Sequence, residues 1–116
     1  MLIRYIEMNI LSITKLLDFD NLIKNNNMVI IVFSANFCKP CKDIFPYITF
    51  LADENKDINF IKVDIEEGHE ISDSYNIQSI PHFIFLKNTT EILSFTGTNN
   101  KNLIDSIRKL RDFQFS

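Results

Sequence analysis

The chain has no tryptophan, two glycines, three prolines and two cysteines in 116 residues. Two cysteines cannot build a disulfide framework, so the fold rests on an apolar core and the cysteines are better explained as chemistry. Lys and Arg total 12 against 15 Asp and Glu, a net charge of −3, and no long basic run exists. That excludes the electrostatic footprint of a nucleic-acid partner. No apolar stretch approaches the roughly 18 residues of a membrane-spanning helix. Met1-Leu2-Ile3-Arg4-Tyr5-Ile6-Glu7-Met8 is apolar but broken by Arg4 and Glu7, with no small-residue cleavage site. This predicts no signal peptide and a reducing, cytoplasmic compartment. The same segment, 1–7, reads as either an extra edge strand or an association patch.

What remains is 46% hydrophobic and 23% charged, the balance of a globular protein. The length predicts a single domain over 1–116, able to bury about two thirds of its unfolded surface. Its central feature is Phe37-Cys38-Lys39-Pro40-Cys41-Lys42, which follows the apolar run Met28-Val29-Ile30-Ile31-Val32-Phe33. Such a run reads as a buried strand, and a CxxC pair where strand turns into helix reads as a redox dithiol. Residues i and i+3 on a first helical turn lie on one face with Cβ atoms roughly 5–6 Å apart. A disulfide needs about 4 Å, so slight tightening of the turn closes it. Two alternatives stand beside this reading. The cysteines could be inert core residues, or half of a zinc site that only His69 and His82 could complete.

Along the chain, Met8–Thr14 is a first strand candidate, and Phe19, Leu22 and Ile23 have helical spacing with Asp18 as N-cap. Met28–Ser34 is the buried strand. A helix is expected from Cys38 to about Asn55, with Ile44, Ile48 and Leu51 on one face and Pro46 kinking it. Ile58–Ile65 is a third strand whose alternate residues include Lys62 and Asp64 on one face. A short helix follows at Glu70–Tyr75, and the acidic run Glu66-Glu67-Gly68-His69-Glu70 reads as a solvated loop. His82–Leu86 and Glu91–Phe95 form a hairpin across Lys87-Asn88-Thr89-Thr90. Leu103, Ile104, Ile107 and Leu110 mark a last helix over Lys101–Arg111, with basic residues in its final turn. The pattern is an α/β fold, a central mixed sheet of four to five strands with one antiparallel edge and helices on both faces.

Together these residues resemble the thioredoxin family from about Ile10 to Leu110. Ala35-Asn36-Phe37-Cys38-Lys39-Pro40-Cys41-Lys42 looks like its active-site segment, and Pro46 matches its helix-internal proline. Lys62-Val63-Asp64 looks like the end of its central strand. Tyr75-Asn76-Ile77-Gln78-Ser79-Ile80-Pro81 is similar to the approach to its cis-proline, and Gly97 to the glycine after its last strand. Five positions depart. Phe37 replaces the usual tryptophan, Lys39 a glycine, Val32 a buried acid, His82 a threonine and Thr89 a hairpin glycine.

The resemblance implies a thiol–disulfide oxidoreductase that reduces protein disulfides and needs no cofactor. Cys38, at a helix N-terminus where dipole and free N–H groups favour a thiolate, is expected to attack, and Cys41 to resolve the mixed disulfide. Lys39 and Lys42 add positive charge, and Pro40 stiffens an early helical position. Ile80, cis Pro81 and Gly97 are expected to form the substrate groove, with Phe37 as an apolar contact. Lys62 lies near the position of the missing acid. With Val32 in place of the acid, Cys41 is expected to lose its proton through water or to His82, whose ordinary pKa is about 6.5 and which is otherwise an unremarkable strand residue. The implied partners are disulfide-containing proteins and an electron donor, a thioredoxin reductase or a glutathione system. Alternatives are a glutaredoxin-like protein, a disulfide oxidase or isomerase, and a redox-inactive binding module.

Overall fold

The computed structural model describes residues 9–116. The segment 1–7, read as edge strand or association patch, lies outside the described residues. Nine elements follow in order: β1 (Ile10–Ser12), α1 (Leu16–Lys24), β2 (Met28–Ser34), α2 (Lys39–Glu54), β3 (Asn59–Asp64), α3 (His69–Ser74), β4 (His82–Lys87), β5 (Thr90–Thr96) and α4 (Asn100–Asp112). The five strands form one sheet in the order β1-β3-β2-β4-β5. β1, β3 and β2 are mutually parallel, and β4 runs against both β2 and β5. The antiparallel strand is therefore one in from the edge rather than at it, because the short β4–β5 turn brings the last strand back alongside.

β2 sits at the centre because six consecutive residues, Val29–Ser34, are buried. A strand covered on both faces has no polar side to show, which is why it reads as an unbroken apolar run. One face carries Ile30 and Val32 beneath α2 and α4, through Ile44, Ile48, Leu51, Leu103, Ile107 and Leu110. The other carries Val29, Ile31 and Phe33 beneath α1 and α3, through Phe19 and Ile71.

Element ends differ from the sequence expectation where packing or distant segments set them. α1 begins at Leu16 with Lys15 as N-cap and no side-chain cap bond, so Asp18 lies inside the first turn, where its charge suits the dipole. Packing of Leu16 and Phe19 fixes that start. His69, expected in a loop, is the exposed first residue of α3. α2 runs continuously through Pro46, and the Thr49 hydroxyl donates to the Phe45 carbonyl at 3.0 Å. The end of α4 is closed from afar. Lys87 of β4 donates to the carbonyls of Leu110, Arg111 and Phe113 at 3.0, 2.9 and 2.7 Å. Arg111 meanwhile grips Asp57 and Asn55.

The buried Gly68 has no room for a side chain. A Cβ there would stand 2.8 Å from Val63 Cγ1 and 3.1 Å from the Asp64 carbonyl. The hairpin turn shows the opposite economy. Asn88 and Thr89 both have positive φ, 50° and 69°, the two-residue turn that best matches strand twist. Asparagine accepts that conformation readily, but β-branched threonine does not.

Two predictions follow from these placements. Left-handed backbone disfavours a non-glycine residue by about 1–2 kcal/mol, while glycine adds about 0.5–1 kcal/mol of unfolded-state freedom. Thr89→Gly is therefore expected to raise stability by about 0.5–1 kcal/mol in denaturant unfolding; unchanged or lower stability would contradict the turn geometry. At the head of β4, His82 shares its Nδ1 with the Thr96 hydroxyl at 2.7 Å. Burial lowers its pKa below 6.5, with the Glu91 charge pulling weakly the other way. A pKa depressed by folding contributes stability above the unfolded value of about 6.5 that is lost as pH falls. Melting temperature should decline as pH drops below about 6.5, and His82→Thr should flatten that decline.

Candidate active site

β2 ends at Ser34 and α2 begins at Lys39, so the intervening turn carries Cys38 off the end of the buried central strand. Cys38 is the N-cap of α2, and its own N–H donates to the Ala35 carbonyl at 3.1 Å. Lys39 and Pro40 are the first two helical residues and Cys41 the third. Proline costs nothing there, since the first turn of a helix has no carbonyl for its N–H to reach. The two cysteines are joined by a disulfide with Cα atoms 5.3 Å apart.

Exposure does not separate the two sulfurs: Cys38 is 7% and Cys41 5% exposed. Their hydrogen bonding does. The Cys41 backbone N–H donates to Cys38 Sγ at 3.2 Å, so Cys38 occupies the place of a capping oxygen. A sulfur there meets an unpaired donor and the positive end of the helix dipole, both of which favour a thiolate. Cys41 instead faces inward, onto a cavity of about 300 Å³ lined also by Val32, Ser34, Phe45 and Lys62.

The charge around the pair differs from expectation at one point. Lys39 is bound to Asp43 at 2.9 Å across one helical turn, with both side chains exposed. Its charge is thereby offset, because i,i+4 pairing on a helix is sterically ready-made. Lys62 remains on the inner side, paired in register with Val32 and with its Nζ 4.7 Å above the Phe45 ring.

Ile80 packs against Ala35, Cys38 and Cys41, and the Ile80–Pro81 bond is cis. The Gly97 N–H donates to the Pro81 carbonyl at 3.0 Å, and Gly97 has φ +126°, a conformation open mainly to glycine. Ile80, Pro81 and Gly97 are thus brought to one place beside the disulfide. Phe37, 70% exposed, stands at the outer rim.

His82 does not line the cavity beside Cys41. It is the register partner of Phe33, with ring centroids 6.5 Å apart, and so shares the face opposite Val32. The cavity beside Cys41 opens on the Val32 side, and His82 is not among its lining residues. Among the described residues no three His, Cys, Asp or Glu side chains gather as a metal cluster would require. No helix among them is long and apolar enough to cross a membrane. Sequence reasoning missed Ser34, Phe45 and Ile65. Ser34 was signalled by a hydroxyl ending an otherwise apolar run; Ile65, which packs on the cysteines, carried no signal.

The thioredoxin family profile matches residues 10–109. A thioredoxin from Gallus gallus is 32% identical over 101 residues, 85% of this chain and 96% of that protein. The oxidised crystal structure of mitochondrial thioredoxin 3 from Saccharomyces cerevisiae superposes with a TM-score of 0.83 at 32% identity, covering 89% of this chain and 97% of that one. A chain in a solved structure of the thiol-resolving mechanism of yeast mitochondrial 1-Cys peroxiredoxin via glutathione/thioredoxin systems matches with a TM-score of 0.82 at 32% identity, over 87% and 95% of the two chains. With the Cys38–Cys41 disulfide at the head of α2, these matches make the protein a thiol–disulfide oxidoreductase that reduces protein disulfides. The chain belongs to the thioredoxin family.

Proposed function

We propose that Cys38 is the attacking thiolate and Cys41 the resolving thiol. The observation that carries this is the Cys41 N–H donated to Cys38 Sγ at the helix N-cap. Cys38 attacks a substrate disulfide, its sulfur bonds one substrate sulfur, and the other substrate sulfur leaves as a thiolate. Cys41 then attacks Cys38 Sγ, the internal disulfide forms and the second substrate thiol departs. The substrate gains the two electrons that the dithiol loses.

The substrate segment is proposed to lie against Ile80, Pro81 and Gly97, with Phe37 supplying apolar contact at the rim. This reading is supported by their convergence beside the cysteines. Lys39 and Pro40 shape the turn, Lys62 supplies charge from within, and His82 shapes the groove side of β4 rather than moving the Cys41 proton. A peroxiredoxin is one class of partner consistent with the relative's structure described above, and a thioredoxin reductase or a glutathione system is the proposed electron donor. The proposed setting is a reducing intracellular compartment such as the cytoplasm.

The redox poise is proposed to be less reducing than that of a typical thioredoxin, about −270 mV. Val32 adds no negative charge, and Lys62 has no ion-pair partner among the described residues. Positive potential stabilises the dithiol's thiolate and hence the reduced form.

Equilibration of the protein with defined thiol–disulfide buffers, read by thiol mass-tagging, is expected to give a more oxidising couple. A potential at or below about −270 mV would refute the poise argument. Cys38→Ser should abolish disulfide reduction, and Cys41→Ser should accumulate a covalent mixed disulfide with substrate. If Cys41→Ser turns over normally, the roles are wrongly assigned.

A further inference from the structure

One polar group in the cavity beside Cys41 has no task in the chemistry above. Ser34, the last residue of β2, is 5% exposed, and its Oγ has no hydrogen-bond partner among the described residues. An unpartnered buried hydroxyl is costly, so native proteins pair such groups, with ordered water where side chains are lacking. The cavity of about 300 Å³ holds Ser34 and Cys41 on its wall together. Water takes up about 30 Å³ in the liquid, so there is room for several molecules. Further polarity converges on the same space. Lys62 presents its ammonium over Phe45. Pro46, also on the wall, withholds the i+4 N–H that the Lys42 carbonyl would otherwise receive.

We infer that Ser34 positions a water against Cys41, and that this water carries off the Cys41 proton as the resolving thiol attacks. The inference rests on the assignment of Cys41 as resolving thiol. In the mixed disulfide the Cys41 S–H bond breaks and its proton passes through the bound water to solvent. The Cys41 sulfur forms its bond to Cys38 Sγ while the bond from Cys38 to the substrate sulfur breaks. The departing thiolate takes a proton from solvent. The titratable groups that face this space are Lys62 from β3 and Cys41 and Lys42 from α2; β2 supplies none. The ammonium of Lys62 favours the thiolate as it develops. Ser34 is thus a positioning residue, acting through water rather than on the sulfur.

The test is rapid mixing of the reduced protein with dithiobis(nitrobenzoate), an aromatic disulfide that releases one coloured thiolate on attack by Cys38 and a second on resolution by Cys41. Ser34→Ala should leave the first phase intact and slow the second by about tenfold at about pH 7, less than a side-chain base acting directly would contribute. Its solvent deuterium isotope effect should rise, and Ser34→Thr should restore most of the rate. Lys62→Met should move the second-phase pH profile upward, because a neighbouring cation that favoured the thiolate is gone. A Ser34→Ala protein with wild-type second-phase rate, pH profile and isotope effect overturns the inference, as does equal slowing of both phases. A second release that persists in Cys41→Ser would instead overturn the resolving role itself.

Discussion

The structure depends on where β2 stops. Its pairing with β3 on one side and β4 on the other fixes every residue from Val29 to Phe33 in register with both neighbours. The strand cannot slide by one residue without turning Ile30 and Val32 away from α2 and putting Ile31 and Phe33 in their place. The turn after Ser34 therefore starts from a fixed point, and the first residues of α2 are placed to within the tolerance of a packed core. That is what lets a sulfur sit at an N-cap, within hydrogen-bond reach of the N–H three residues on. Hydrogen bonds to a charged partner contribute about 1.5–3 kcal/mol, more than a surface ion pair such as Lys39–Asp43 at about 0.3–0.5 kcal/mol. On the proposed attacking role of Cys38, backbone geometry weighs more than lysine count.

The two faces of the sheet divide the work. Phe19, Ile71 and the Phe33–Tyr75–His82 aromatic group fill the side away from α2 and hold the chain segment that delivers Ile80 to the disulfide. The α2 side is packed by Ile44, Ile48 and Leu51 along most of its length. Near Cys41 it loosens into the cavity, where the wall turns polar at Ser34 and Lys62. On the proposed assignments, substrate geometry is set by one layer and proton handling by the other, with the disulfide at their common end.

Much of this was legible in the residues. The order of strands and helices, the burial of Met28–Ser34 and the cysteines at a strand-to-helix turn all followed from apolar runs, spacing and turn residues, whereas the strand ending Lys62-Val63-Asp64, likened to a central one, stands second in the sheet beside the central β2. What escaped depended on contacts between distant segments. Nothing local announces that Lys87 closes the end of α4, or that Lys15 rather than Asp18 starts α1, since tertiary packing chose both. At the site, family likeness pointed to Pro81, Ile80 and Gly97, which spacing alone does not connect with Cys38 and which the fold places beside it. The role open to His82 could not be read from sequence, because it turns on the face toward which one residue of β4 points. A single step of strand parity separates a side chain near Cys41 from one on the far side.

Val32 shows why these parts hang together. A carboxylate at this 2% exposed position would need to shed its hydration, and burying a charge without a partner carries a penalty of several kcal/mol. Valine removes that penalty and contributes apolar burial under α2, so the central strand is the more secure for the change. On the proposed resolving role of Cys41, its proton then leaves by another route, and the valine side chain offers none. A hydroxyl two residues along the same strand points to the same face by the pleat, as Val32 and Ser34 do in lining one cavity. A neutral group there can hold water while avoiding the desolvation of a charge. Stability in β2 and proton transfer at Cys41 are reconciled by distance along one strand, with the valine in the core and the serine at its wet margin.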